Sequence, residues 1–162
     1  MVRKARKEDL NAMLSIYAKA QEYMKHSGNP QWQLFSFSPE QVMKDIESGD
    51  YYVVERNGRV CGSMGLPVGI EEAYTYGLDE GEWRYDGEYA TVHKLASDGT
   101  EHGVFKELLE YGKTICPHIR LDTHRDNDTM HYLVGQLGFH YCGMFWGKKS
   151  GMPWVAYEEI FK

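Results

Sequence analysis

Apolar positions recur at helical spacing in three stretches of the chain, a pattern typical of helices that pack one face against a sheet. The first helix is predicted to open at Lys7-Glu8-Asp9, with acids in its first turn, and to end at Ser27-Gly28-Asn29-Pro30. A shorter helix is predicted between Ser38-Pro39-Glu40 and Ser48-Gly49. The three apolar stripes are Leu10, Met13, Leu14, Tyr17 and Ala18, then Val104, Leu108, Leu109 and Tyr111, and finally Met130, Leu133, Val134 and Leu137.

Strands are predicted where β-branched and aromatic residues cluster between turn signals. The clearest pair flanks Arg56-Asn57-Gly58-Arg59, in which Asn-Gly favours a primed hairpin turn, and Gly62 and Gly65 permit a bulge in its second strand. These patterns predict an α/β protein of one domain, residues 1–162, with a central mixed, mostly antiparallel sheet, helices on both faces and parallel crossovers in the C-terminal half. The predicted strands are Val2–Ala5, Tyr51–Glu55, Val60–Leu66, Tyr89–Ala96, Ile119–Thr123, Phe139–Phe145 and Trp154–Phe161.

Two aromatic-rich connections interrupt this regular pattern. We interpret the first, around Trp32, Phe35 and Phe37, as a loop held to the core by its rings, with a cleft-lining role as the alternative. The second, residues 71–87, is acidic and rich in turns, and we name it the acidic excursion. We expect its aromatic side chains to fold back over one end of the sheet, and a role as a substrate lid is the alternative. Those side chains are Tyr74, Tyr76, Trp83 and Tyr85.

The central stretch, residues 88–111, predicts a strand that passes through a tight turn at Asp98-Gly99 into a helix. The first residues of that helix, Gly103 to Lys106, leave backbone N–H groups unpaired, and the helix dipole adds partial positive charge there. Gly103 permits close approach of a ligand, and Lys106 adds a full positive charge. The helix start therefore indicates a site for an anion, with a phosphorylated cofactor as the natural candidate.

Composition and charge narrow the class of protein. The chain is 42% hydrophobic and 26% charged, and it contains no apolar run of membrane-spanning length. MVRKARKEDL at its start lacks the apolar segment of a signal peptide, so we expect a cytoplasmic protein with no membrane partner. The net charge of −6 argues against nucleic acid as a partner, and three cysteines argue against a disulfide framework. Pairing of the last strands into a homodimer is plausible.

Three segments, taken in order, resemble the GCN5-related N-acetyltransferase (GNAT) family. They are YYVVERNGRVCGSMGL, VHKLASDGTEHGVFKELLEYG and IRLDTHRDNDTMHYLVGQLGFHYCGMF, and they span nearly the whole chain. The resemblance implies the GNAT fold and transfer of the acetyl group of acetyl-CoA to an amine of a small molecule or peptide, by direct attack in a ternary complex. It implies cofactor contacts from Leu95 and Ala96 to the pantetheine, from Gly103, Val104, Phe105 and Lys106 to the pyrophosphate, and from Asn127 on the next helix.

Two positions depart from the family pattern. Phe105 is bulky where the family has a small residue, and Val134 stands where the family places a tyrosine that protonates the departing thiolate. His131 and Tyr141 are the candidate replacements for that general acid. The departures keep open a different class, a non-catalytic acyl-CoA-binding module on the same fold. A dinucleotide-binding domain is a third class, although the chain lacks the full glycine fingerprint.

Acetyl transfer to an ammonium group also needs a base, and His93 on the central strand is the first candidate. An imidazole titrates near neutral pH, which suits this role, whereas a hydrogen-bonded core histidine is the structural alternative. Glu72, Glu88 and His124 are further candidates for the base. Asp122 and His124 alternate on one face of a predicted strand, but a third ligand is not evident, so no metal site is expected.

Overall fold

The structure is a computed structural model that describes residues 1–32 and 37–162. Phe35, part of the predicted aromatic loop, therefore lies outside the described residues. The helices are α1 (Leu10–His26), α2 (Pro39–Glu47), α3 (Val104–Ile115) and α4 (Asp128–Gln136). The strands are β1 (Val2–Lys4), β2 (Tyr51–Arg56), β3 (Arg59–Gly65), β4 (Glu80–Gly81), β5 (Ala90–Thr91), β6 (His93–Ser97), β7 (His118–His124), β8 (His140–Trp146) and β9 (Pro153–Ile160).

The strands form two sheets. One has the order β1-β2-β3-β6 and is antiparallel throughout, and the other has the order β4-β8-β9-β7-β5. Within the second sheet, β5 pairs with β7 in parallel and the other neighbours are antiparallel. The prediction of a mixed, mostly antiparallel arrangement is confirmed, and α3 makes the parallel crossover in the C-terminal half.

Helices cover both faces of the four-stranded sheet, as predicted. Successive side chains of a strand point to opposite faces, and β2 is apolar at four consecutive positions. Tyr51 and Val53 join the buried cluster that contains residues of α1 and α2. Tyr52 and Val54 join the cluster that contains residues of α3 and α4. The continuous apolar run of β2 therefore reflects burial on both faces.

The β2–β3 hairpin forms as predicted. Asn57 and Gly58 both have positive φ, 54° and 74°, which the primed turn requires. The predicted bulge in β3 is also present, because Val54 pairs with Gly62 and Glu55 with Val60, so β3 holds one extra residue in this interval. A side chain at Gly62 would overlap Val104 of α3. The missing Cβ therefore lets the first turn of α3 lie directly against β3.

The single strand predicted over residues 89–96 is wrong, because this stretch divides between the two sheets. β5 pairs with β7, whereas β6 pairs with β3. The backbone N–H of Val92 still donates to the carbonyl of Arg120 at 3.1 Å, and beyond this bond β6 and β7 belong to different sheets. We name this point, Val92 with Arg120, the fork. The division opens a gap between two strands that run in the same direction.

The acidic excursion contains a short 3-10 turn at Glu72–Tyr74 and strand β4. Tyr74 is buried and packs with Trp83 against a small aromatic cluster, so these two rings fold back as predicted. Tyr76 is 61% exposed, so the prediction is wrong for that ring. Among the helices in the described part of the chain, none has the length and apolarity needed to cross a membrane.

Candidate functional site

A cavity of about 720 Å³ occupies the gap beyond the fork. Parallel strands that separate expose their facing edges, so backbone and side chains of both strands are available to a ligand. One end of the cavity reaches the start of α3, and its sides include residues of α1 and of the start of α4. On one side the wall is formed by Val92 at the fork and by Lys94, Leu95, Ala96 and Ser97 of β6, and on the other by Leu121, Asp122 and Thr123 of β7.

The β6 side of the cavity carries a backbone irregularity. Ser63 pairs with Ala96 and Gly65 with His93, so β6 holds one extra residue in this interval. Lys94 has φ of 51°, which is uncommon for a residue other than glycine, and its Nζ lies 2.6 Å from Asp45 Oδ2. A bulge leaves its extra residue outside the hydrogen-bond ladder. Leu95 and Ala96, both predicted cofactor contacts, follow this bulge on the cavity wall.

The start of α3 lies where the sequence predicted a helix start, directly after Gly103. Gly103 has φ of 72° and precedes the first helical residue, Val104. The bond from Glu107 N to Gly103 O, 3.0 Å long, begins the helical ladder. The N–H groups of residues 104–106 precede it, as at any helix start. Phe105 lines the cavity while packing against the core, Val104 is buried, and the Lys106 side chain is exposed outside the wall.

Asn127 lies on the opposite wall, where it caps α4. Its Oδ1 accepts a hydrogen bond from Met130 N at 3.3 Å, and its Nδ2 donates to Gln31 Oε1 at 2.8 Å. Gln31 Oε1 also accepts from Thr123 Oγ1 at 2.9 Å. Gln31 thus ties the segment after α1 to β7 and α4. The sequence carried no signal for this contact, because the partners lie more than 90 positions apart.

His93 lies at the fork rather than on the cavity wall. Its side chain is 36% exposed, and its Nε2 is 3.1 Å from Glu71 Oε2. The hydrogen bond from His93 lowers the pKa of Glu71, although burial opposes this shift. The acidic excursion therefore supplies a carboxylate partner to the predicted base. Of the further candidates for the base, Glu72 and Glu88 are exposed, and the buried His124 accepts a hydrogen bond from Asp126 N.

Asp122 is a site residue that the sequence reasoning considered only as a metal ligand. It lines the cavity, and its Oδ2 accepts a hydrogen bond from Tyr74 at 2.5 Å. Burial raises the pKa of Asp122, while the hydrogen bond from Tyr74 and the nearby charge of His93 oppose the rise. Burial, followed by the charge of Asp122, raises the pKa of Tyr74 well above its ordinary value. The fork thus brings together Asp122 and His93 from two diverging strands.

The structure does not bring His131 and Tyr141 to the cavity. His131 Nε2 donates to the carbonyl of Arg125 at 2.9 Å, and its Nδ1 lies 2.7 Å from the Tyr157 hydroxyl. Tyr141 is 58% exposed on β8, with its ring against Tyr157. Val134 is fully buried in the core. Among the described residues, neither predicted general acid lines the cavity, and both make contacts that support α4 and β9.

Two sheets that part around a cavity, with a crossover helix starting at its mouth, define the class of GNAT-like α/β folds. A GNAT-family acetyltransferase from Streptococcus agalactiae aligns over 100% of this chain and 95% of its own, with a TM-score of 0.90 and 25% identity. No protein-family model matches the sequence, and no curated protein matches it. The chain therefore has the fold of the GNAT-family acetyltransferases.

Two further solved structures share the fold. A GNAT-family acetyltransferase from Listeria monocytogenes aligns over 98% of this chain and 93% of its own, with a TM-score of 0.71 and 21% identity. A ribosomal-protein-alanine N-acetyltransferase from Brucella melitensis aligns over 99% of both chains, with a TM-score of 0.66 and 18% identity. At these identities the likeness concerns the fold, which confirms the predicted GNAT-like architecture.

Proposed function

We propose that the protein is an N-acetyltransferase that transfers the acetyl group of acetyl-CoA to an amine of a small molecule or peptide, by direct attack in a ternary complex. The observation that carries the proposal is the cavity beyond the fork, which runs between the edges of two diverging strands and reaches the start of α3. The acetyltransferases of similar structure support the reaction class.

The residues around the cavity fit the co-substrate. A cavity of about 720 Å³ is within the usual range of roughly 300–1,000 Å³ for small-molecule sites. The amides of Gly103, Val104, Phe105 and Lys106 offer donors to a pyrophosphate. The negative charge of Asp98 on this wall is offset by Arg59, whose Nη1 lies 2.5 Å from its carboxylate. Leu95 and Ala96 face the expected pantetheine path, with Asn127 on the opposite wall.

The reaction requires a neutral amine beside a polarised thioester carbonyl. In this proposal, His93 removes a proton from the ammonium group, and Glu71 fixes the orientation of its ring through Nε2. Backbone N–H groups beside the bulge in β6 stabilise the oxyanion that forms on the acetyl carbonyl. The amine nitrogen then bonds to the carbonyl carbon as the carbon–sulfur bond breaks.

The second candidate function is a non-catalytic acyl-CoA-binding module. Val134 favours it, because the position that carries the general acid in the family is filled by a fully buried aliphatic side chain. A thiol with a pKa near 8.5 is nevertheless a tolerable leaving group, so the reaction is compatible with this substitution.

Calorimetric titration with acetyl-CoA, beside NADH, followed by an assay of free thiol with a panel of amines, tests the two functions. We expect binding of acetyl-CoA without binding of NADH, and amine-dependent thiol release. His93→Ala should slow release about 10²–10⁴-fold and leave the affinity for acetyl-CoA unchanged. His140→Ala, at an exposed position of β8, is the matched control. Binding without thiol release for any amine would favour the binding module.

A further inference from the structure

The proposed reaction must remove two protons from the acceptor nitrogen. An ammonium group loses one proton before it attacks the thioester, and the attacking nitrogen loses the second as the amide forms. His93 accounts for the first proton. The second must reach the sulfur for free thiol to form, and the position of the family's proton donor holds the buried Val134. A second titratable group beside the fork would carry this proton.

The 3-10 turn of the acidic excursion supports such a group. A 3-10 helix has three residues per turn, so side chains three positions apart lie on the same side. Glu71 precedes the turn Glu72–Tyr74 and Tyr74 ends it, so these two side chains share a side. Glu71 contacts His93 of β6 at 3.1 Å, and Tyr74 contacts Asp122 of β7 at 2.5 Å. The turn therefore bridges the two strands where they diverge.

The two carboxylates at this turn have opposite environments. The hydrogen bond from His93 lowers the pKa of Glu71, which is thereby kept ionised. Burial raises the pKa of Asp122. The hydrogen bond from Tyr74 and the charge of His93 oppose this rise, whereas the charge of Glu71 adds to it. Pairs of titratable groups whose pKa values are driven apart are typical of acid–base sites. Asp122 is the member of this pair whose pKa is raised, and it is the member on the cavity wall.

We propose that Asp122 is a second catalytic residue of the acetyl transfer, and that Tyr74 is its positioning residue; this inference rests on the proposed function. The Asp122 carboxylate accepts the second proton from the attacking nitrogen as the carbon–nitrogen bond forms. The carbon–sulfur bond then breaks, and the carboxylic acid gives this proton to the departing thiolate. Asp122 returns to its carboxylate form, and the first proton leaves through His93. The products are the amide, free thiol and one released proton.

The first test uses the full chain, acetyl-CoA and the amine that the parent protein acetylates fastest. Asp122→Asn should lower the turnover number about 10²–10⁴-fold, the usual contribution of a proton-transfer group, with the affinity for acetyl-CoA unchanged. Asp86→Asn removes the same charge from an exposed position of the acidic excursion and should leave turnover within about twofold, as expected for a surface change. If the turnover number of Asp122→Asn stayed within about threefold of the parent value, the loss would be too small for a proton-transfer group and the proposal would be overturned.

The second test needs no turnover. Carboxyl ¹³C NMR titration should give Asp122 a pKa above that of a free aspartate. Tyr74→Phe should raise it further, because the lost hydrogen bond stabilised the carboxylate. Tyr76→Phe changes an exposed tyrosine of the same excursion and should leave the titration unchanged. An unmoved Asp122 titration in Tyr74→Phe would overturn the positioning role. No transfer by the parent to any amine would instead overturn the proposed function.

Discussion

Two charged clusters lie along one face of β7, and they differ in how completely their groups are paired. His118 and Arg120 meet Glu158 of β9, whereas Asp122, two residues further along the strand, meets Tyr74. Alternate residues of a strand share a face, so the clusters are neighbours. Both clusters attach the acidic excursion to the sheet, because Glu158 accepts a hydrogen bond from Arg84 N and Asp122 accepts one from the Tyr74 hydroxyl. One face of β7 thus carries a fully paired cluster and, next to it, the carboxylate to which we assign a catalytic role.

The first cluster is saturated with hydrogen bonds. Glu158 is completely buried, and its carboxylate faces five donors: His118 Nε2, Arg120 Nε, Arg84 N, Tyr85 N and Cys142 Sγ. Burial alone would raise its pKa, but the bonds from His118, Arg120 and Arg84 together lower it. The other nitrogen of His118 faces the carbonyl of Glu88 at 3.0 Å, and Arg120 lies over the rings of Trp83 and Tyr89. Every charge here has a partner.

The second cluster is not saturated. Within residues 1–32 and 37–162, the carboxylate of Asp122 accepts one hydrogen bond, from Tyr74. Its pKa is raised, in contrast to that of Glu158. The difference follows from position, because Glu158 lies under the excursion whereas Asp122 lies beyond the fork on the cavity wall. A carboxylate with few partners beside a cavity is suited to exchanging protons with a ligand.

The largest expected effect comes from breaking the saturated cluster. Glu158→Gln leaves the guanidinium of Arg120 and the ring of His118 without their anionic partner in a buried site. Removing one partner of a buried ion pair typically costs about 3–5 kcal/mol in the free energy of unfolding. Urea unfolding monitored by circular dichroism measures this loss. Glu159→Gln, at the adjacent and partly exposed position, is the control and should change stability much less. Equal losses of unfolding free energy in Glu158→Gln and Glu159→Gln would show that the buried cluster contributes no more than a surface carboxylate.

A smaller effect is expected from Arg120→Lys, which keeps the charge but loses the planar guanidinium. Arg120 lies 4.4 Å from the ring centre of Trp83 and 4.1 Å from that of Tyr89, and it donates to both Glu158 and the carbonyl of Tyr85. Lysine does not reproduce this combination of stacking and fixed donors. We expect a loss of about 1–2 kcal/mol, the range of a desolvated cation–π contact.

The same unfolding measurement checks this prediction, with Arg84→Lys as its control. Arg84 is an exposed arginine of the same segment, and its guanidinium lies 5.4 Å from the ring centre of Tyr85. We expect that substitution to stay within about 0.5 kcal/mol, as for most surface changes. Stability of Arg120→Lys equal to the parent would show that charge alone accounts for the contribution of Arg120.

Sequence reasoning succeeded where the signal was local. The helices α1 to α4 follow from apolar spacing and capping residues, and the hairpin follows from Asn57-Gly58. The start of α3 at Val104 follows from Gly103 and the stripe behind it. Each of these features depends on a few neighbouring residues, so a single sequence is sufficient to place them.

The features that were missed depend on contacts between distant parts of the chain. The continuous strand predicted over residues 89–96 has an apolar pattern that fits either sheet, and only the competition between β3 and β7 divides it. Tyr74 and Asp122 are 48 positions apart, and each is unremarkable in its own segment. His131 was selected by its spacing from Val134, but its ring instead bonds Tyr157 of β9.

The smallest expected effect on stability separates Asp122 from a carboxylate that stabilises the fold. Because folding raises the pKa of Asp122, its ionisation weakens the folded state, and this cost develops as the pH rises from the unfolded pKa through the folded one. Asp122→Asn should therefore unfold with a free energy equal to or above that of the parent at pH 7, while losing turnover. Substitution of a reactive group typically lowers activity while it raises stability.

Asp9 provides the matched contrast in the same measurement. The hydrogen bond from Arg3 lowers its pKa, so its stabilising contribution is present above the unfolded pKa and is lost as the pH falls through the folded one. Asp9→Asn should therefore be less stable than the parent at pH 7, with the difference shrinking towards pH 3. Urea unfolding between pH 3 and pH 8 gives both curves. If Asp122→Asn instead lost stability at pH 7 as Asp9→Asn does, Asp122 would be a structural carboxylate like Glu158, and the contrast between the two clusters would disappear.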